Sequence, residues 1–205
     1  MKKIFYISFV YLLICLFACN NSKESSNKNT DKEEINKDLL NTPPIDDGIN
    51  LTNDTNYKGI MAIPEQMALC ILDSASSREA SKKMEENYNK ILKDVEYLNV
   101  RVADQPGCIF YSSSPEKIVF ETFMILKDKP RKVPKYSKPI ILEATLGLLY
   151  DHYGTFNTIH QSYIKIENIL KTSGYKQVGP TREIYILNED TSRWRTRIIV
   201  PIAKK

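Results

Sequence analysis

Few residues in this sequence are of a type and spacing that could do covalent chemistry. There are four cysteines and two histidines in 205 residues. His152 and His160 form no cluster and no Cys-x-x-Cys occurs, so no metal site is legible and no cofactor is expected. Cys70 and Cys108 sit in apolar runs. Cysteines of that kind are more often small core residues than a bridge, although an exported chain could oxidise them. Two charged side chains, Glu121 and Arg197, stand in strand-like runs. A carboxylate there can hold a cation or take a proton. A guanidinium cannot act as a base, because its pKa stays above about 12. Twelve tyrosines suit a semi-polar pocket, since each offers an apolar ring and a hydroxyl.

One cysteine is placed for lipid chemistry. Lys2 and Lys3 precede an uncharged apolar run from Ile4 to Phe17, the layout of a secretory signal. The run is short of the ~20 residues of a permanent membrane helix. It ends Leu16-Phe17-Ala18-Cys19, which resembles the lipobox of bacterial lipoproteins, with Phe17 bulkier than usual. The resemblance implies a signal peptide over 1–18, cleavage before Cys19, and membrane attachment through lipid on that thiol. Asn20 is not the Asp that retains lipoproteins in the inner membrane of some bacteria, which points to the outer membrane.

Residues 19–57 read as a disordered tether. From 20 to 57 there are nine Asn, four Lys, eight Asp and Glu, a Pro43-Pro44 pair, and no aromatic before Tyr57. Such a segment buries too little apolar surface to offset the entropy of ordering. The remainder, 58–205, is one domain by length. Its 23 Lys and Arg exceed its 17 Asp and Glu. Export excludes a nucleic-acid partner. Basic residues gather in Lys127–Lys138, read as a solvated connector in preference to a contact with anionic lipid.

The elements that must position these residues occur twice. Met67–Leu72 reads as a strand. A helix follows, with capping-box spacing at Ser76 and Glu79 and a stripe of Ala80, Met84, Tyr88, Ile91, Val95 and Leu98. Cys108–Tyr111 and Ile118–Leu126 form a hairpin. The second half gives a strand at Leu142–Tyr150 and a helical stripe of Ile159, Tyr163, Ile166 and Leu170. Gly174 follows at the helix end. Strands Glu183–Leu187 and Arg195–Ile202 come last, with a turn at Asn188–Ser192. Pro106–Tyr111 aligns on Pro180–Tyr185 at an offset of 74, and Glu121 aligns on Arg197. The expected fold is α+β: tandem strand-helix-strand-strand units, with a ligand pocket between them.

Four segments carry a family resemblance. Tyr150-Asp151-His152-Tyr153-Gly154-Thr155-Phe156 resembles the H-x-G-P-Y signature of the GyrI-like, or AraC-type effector-binding, superfamily. Ser173-Gly174-Tyr175 through Gly179-Pro180-Thr181-Arg182-Glu183-Ile184-Tyr185 is similar to its N-G-Y-x-x-x-G-P-x-R-E-x-Y. Thr196-Arg197-Ile198-Ile199-Val200-Pro201-Ile202 is similar to its closing T-E-I-x-I-P-V, and Pro115-Glu116-Lys117-Ile118-Val119-Phe120-Glu121 to its P-E-K-I-D-F-E. The resemblance implies tandem units around a central pocket for small, often cationic and aromatic molecules. Members serve as effector domains of regulators, stand-alone binders, a gyrase inhibitor and, in some branches, hydrolases. No DNA-binding helix-turn-helix is legible here.

Two departures bear on function. Phe156 replaces the tyrosine of G-P-Y, and Arg197 replaces the closing glutamate, which in the family faces the ligand cation and serves hydrolysis. An ion pair between Glu121 and Arg197 across the two units is therefore expected. The reading is non-catalytic binding of a small aromatic or amphipathic molecule, with Tyr111, Glu121, Tyr150, Phe156, Tyr185 and Arg197 lining the pocket. The alternatives are a hydrolase working through Glu121 or Glu183, and a protein-interaction module at the envelope.

Overall fold

The computed structural model describes residues 54–103, 105–114, 116–186 and 194–205. The signal peptide, Cys19, nearly all of the tether and the turn at Asn188–Ser192 lie outside the described residues.

The described chain forms strands β1 (Tyr57–Ile63) and β2 (Gln66–Ala75), helix α1 (Ala80–Leu98), and strands β3 (Gly107–Ser113), β4 (Ile118–Ile125), β5 (Lys138–Leu142) and β6 (Thr145–Tyr153). Helix α2 (Ile159–Thr172) and strands β7 (Tyr175–Gln177), β8 (Thr181–Ile186) and β9 (Arg195–Lys204) complete it. All strands pair antiparallel in the order β1-β6-β9-β8-β3-β4-β2-β5, with β7 added to β9.

The two ends of that order are one ribbon. β1 pairs β6 up to Ile63–Thr145, and β2 pairs β5 from Gln66–Leu142. The register is unbroken across the bends at Pro64-Glu65 and Glu143-Ala144. This bent ribbon draws the sheet's edges together and curls it into a half-barrel. The expected strand over Leu142–Tyr150 corresponds to β6, which starts at Thr145, while Leu142 ends β5; β1, β5 and β7 had no counterpart in the sequence reading.

Strand alternation sorts the core into layers. Ile63, Cys70, Ile109, Phe123, Leu149, Ile184 and Ile199 pack inside the curl. On the outer face, α1 lies on Leu69, Cys108, Phe120 and Met124, and α2 lies on Leu148, Tyr150, Ile198 and Val200. Cys70 and Cys108 are free and buried on opposite faces of the sheet, so the sheet separates the two thiols.

Both helices form where the apolar stripes predict, but their ends differ from expectation. Ser76 Oγ donates to Glu79 Oε2 at 2.9 Å, closing the pair on itself, and the helix begins at Ala80 with no side-chain cap. The left-handed C-cap belongs to Asn99 of α1, at φ 54°. α2 ends instead on extended Ser173, so Gly174 does not supply a left-handed cap.

The two halves meet along β3 and β8. Gly107 pairs with Ile184 and Ile109 with Arg182, on either side of the central pair Cys108–Glu183. Positions 74 residues apart, such as Ile109 and Glu183, lie on opposite faces of the sheet, against the offset read from the prolines. A one-residue slip exchanges the two faces of a strand. Ile109 and Ile184 both lie inside the curl, and Phe110 and Tyr185 both lie outside it.

Candidate functional site

Three polar constellations sit on this frame, one outside the curl and two inside. The outer one occupies the gap between the helices. Tyr88 of α1 and Tyr163 of α2 reach from opposite sides towards β3 and β8. Tyr88 donates its hydroxyl to the Gly107 carbonyl at 2.8 Å, and Tyr163 donates to Glu183 Oε1 at 2.5 Å. Tyr185 bonds the same carboxylate. Glu183 is buried. Burial raises its pKa above the ordinary carboxyl range, and the two tyrosine hydroxyls oppose that shift. Phe156 packs edge-on against Tyr185 at 5.3 Å and tilts against Trp194 at 5.9 Å. Tyr88, Glu183, Tyr185 and Trp194 are all buried.

Inside the curl, Tyr111 donates its hydroxyl to Glu121 Oε2 at 2.6 Å. Burial and that carboxylate together push the phenol's pKa up. Leu72 lies opposite Glu121 on β2 and is 62% exposed, while Tyr111 is 49% exposed. Arg182, across Ile109 on β8, donates to the Glu143 carbonyl at 3.1 Å and ties β8 to the bend. Partial burial lowers its pKa. This corner combines an accessible apolar surface with a carboxylate, a phenol and a guanidinium.

The third constellation is Asp151 with Arg197 and Arg195. Asp151 is fully buried on β6, directly opposite Arg197 on β9. Arg197 Nε donates to Oδ1 at 2.9 Å and Nη2 to Oδ2 at 3.1 Å, a bidentate fork. Arg195 Nη1 lies 3.7 Å from Oδ2. The expected Glu121–Arg197 pair is absent. Arg197 holds Asp151, and Glu121 holds Tyr111.

The six expected pocket residues divide between the faces. Tyr111, Glu121 and Arg197 lie inside the curl. Tyr150, Phe156 and Tyr185 lie outside it, against the helices. Tyr150 is buried under α2, and its hydroxyl donates to Asp54 Oδ2 at 2.8 Å. Lys165 pairs with the same carboxylate at 3.3 Å. Side-chain parity along β6 and β8 forces this division, because residues of odd and even number cannot share a face within one regular strand.

Sequence reading did not single out Asp151, Arg182, Tyr88 or Tyr163 as polar partners. Asp151 carried a usable signal: a carboxylate within an apolar run, facing an arginine once the two strands pair. His152 is structural, with ring nitrogens 3.0 Å from Ser162 Oγ and 3.1 Å from the Thr155 carbonyl. Among the described residues no group of three His, Cys, Asp or Glu could hold a metal.

No family model matches the chain, and no curated protein matches it. Solved structures do. The C-terminal domain of EcmrR superposes with a TM-score of 0.64 at 17% identity, covering 73% of this chain and 99% of that one. A hydrolase from Listeria innocua gives 0.52 at 12% identity over 70% and 90%. SAV2435 bound to tetraphenylphosphonium gives 0.51 at 11% identity over 72% and 93%. At such identities the likeness is one of fold, and it agrees with the fold that the sequence motifs implied: the described domain has a GyrI-like fold.

Proposed function

We propose that this chain is a lipid-anchored envelope protein whose GyrI-like domain binds a small aromatic or amphipathic molecule inside the curl of the sheet, without catalysis. The observation that carries the reading is the corner at Tyr111, Glu121 and Leu72. It offers exposed apolar and aromatic surface beside a carboxylate with which, among the described residues, no arginine forms a direct ion pair, the charge of Arg197 being taken up by Asp151. Such a corner suits a ring system carrying a positive charge or a hydrogen-bond donor. The tetraphenylphosphonium bound to SAV2435 is a molecule of that kind.

The domain is read as a tandem of two units. Met84, Tyr88, Ile91 and Val95 on α1 stand 75 residues before Ile159, Tyr163, Ile166 and Leu170 on α2. The strand order supports the same reading: from either edge inward, strand, strand, hairpin partner and central strand follow in the same sequence. The anchor reading rests on the basic start, the apolar run and Ala18-Cys19, and the outer membrane on Asn20. Non-catalysis is supported by Arg197, which is ion-paired and cannot act as a base.

Calorimetric titration with tetraphenylphosphonium and with an uncharged aromatic of similar size tests the site. Glu121→Gln should weaken the cation about tenfold, equivalent to ~1.4 kcal/mol, and leave the uncharged probe unchanged. Failure of both probes to bind the intact domain would remove the reading. Turnover of an ester panel, lost in Glu121→Gln or Glu183→Gln, would replace it with the hydrolase.

A further inference from the structure

We propose that residues 127–138, between β4 and β5, dock this domain on an anionic phospholipid surface. The segment carries Lys127, Lys129, Arg131, Lys132, Lys135 and Lys138. Its one acid, Asp128, is taken up by Arg101, whose Nε and Nη2 reach the carboxylate at 2.9 and 3.0 Å. The positive charge of the segment is therefore uncompensated within it.

A solvated connector would need no fixed shape, yet this one is built around a buried carboxylate. Asp94, fully buried on α1, accepts the backbone N–H groups of Lys135, Tyr136 and Ser137 at 2.8, 2.9 and 2.7 Å, and the Ser137 hydroxyl at 2.7 Å. The Lys127 amide donates to the Arg101 carbonyl at 2.9 Å at the other end. Pro130, Pro134 and Pro139 stiffen the path. The backbone that carries the amines is thus held at both ends. An open depression of about 750 Å³ lies between the segment and the end of α1.

The rest of the patch has an interfacial composition. Val133 is 83% exposed and Tyr136 55% exposed at the tip, among the basic residues. Lys135 and Lys132 stand 4.0 and 5.3 Å from the centre of the Tyr97 ring. Exposed apolar and aromatic side chains ringed by amines match the boundary between lipid headgroups and acyl chains. The inference requires neither the Cys19 anchor nor the site inside the curl.

Lysine acylation of the full chain, read by mass spectrometry, tests it. Vesicles of phosphatidylcholine alone are compared with vesicles that also contain phosphatidylglycerol. Labelling of Lys129, Lys132 and Lys135 should fall several-fold only with the anionic vesicles, and recover at high salt. Lys82 and Lys176, exposed elsewhere, should label equally in both. The K129E/R131E/K132E chain should lose the protection of Lys135 while keeping its thermal melt, and K129Q/R131Q/K132Q, read at Lys135, serves if charge reversal disturbs folding. Equal labelling with both vesicles, protection that survives the neutral variant, or protection by soluble polyglutamate but not by vesicles would each overturn the proposal.

Discussion

Arg197 closes a two-point fork on Asp151, one strand away, and leaves Glu121 to Tyr111. The guanidinium therefore serves a buried acid on its own side of the sheet. Removing it strands a fully buried carboxylate. Arg197→Ala should cost about 3–5 kcal/mol in urea melts, and Asp151→Asn with Arg197→Gln should cost less than the sum of the two single changes. The same cycle run on Glu121 and Arg197 should be additive. Coupling between that pair would contradict the geometry.

Glu183 should impose a pH dependence of its own. Its folded pKa is raised by burial, so the folded state holds the proton above the pH at which the unfolded chain releases it. Stability then falls as pH rises from about 4.3, the ordinary glutamate value, and levels off above the folded pKa. Glu183→Gln should flatten this part of the curve. Urea midpoints of both proteins across that range test it, and parallel curves would contradict a protonated Glu183.

Asp94 has the opposite sign. Hydrogen bonds from Ser137 and three backbone amides outweigh its burial and hold its pKa below the usual value. Its contribution is present above the ordinary carboxyl pKa and is lost as pH falls through the folded one. Asp94→Ala should destabilise by about 3 kcal/mol or more, since several buried donors lose their acceptor. Limited proteolysis should then cut first within 127–138.

Gly107 should not tolerate a side chain. A Cβ there would lie 2.2 Å from the Phe123 ring and 2.6 Å from the Glu183 carbonyl oxygen. Gly107→Ala should cost about 1–3 kcal/mol by overpacking. Phe123→Leu should restore only part of this, because the second contact is backbone. Thermal melts of the single and double variants measure both effects.

The anchor and the tether are tested together. Cys19→Ser should abolish lipid labelling and release the protein from membranes washed at high salt, since firm attachment requires several acyl chains and a charge-based contact is screened by salt. Protease should remove the residues before Asp54 quickly and leave a core that begins near β1.

The sequence by itself determined the two helices and the hairpins that follow them. Those features rest on local periodicity: Tyr88 and Tyr163 fall on apolar stripes that no distant contact is needed to recognise. The motifs around His152, Gly179 and Arg197 were enough to indicate the fold. Which charges meet was decided by tertiary structure alone. Asp151 and Arg197 are 46 residues apart in sequence, and they become neighbours only through the pairing of β6 with β9. The pairing of Cys108 with Glu183 likewise sets the register of β3 against β8. Because side chains alternate along a strand, a slip of one residue would move Glu183 from among the tyrosines beneath the helices to the inside of the curl with Ile109.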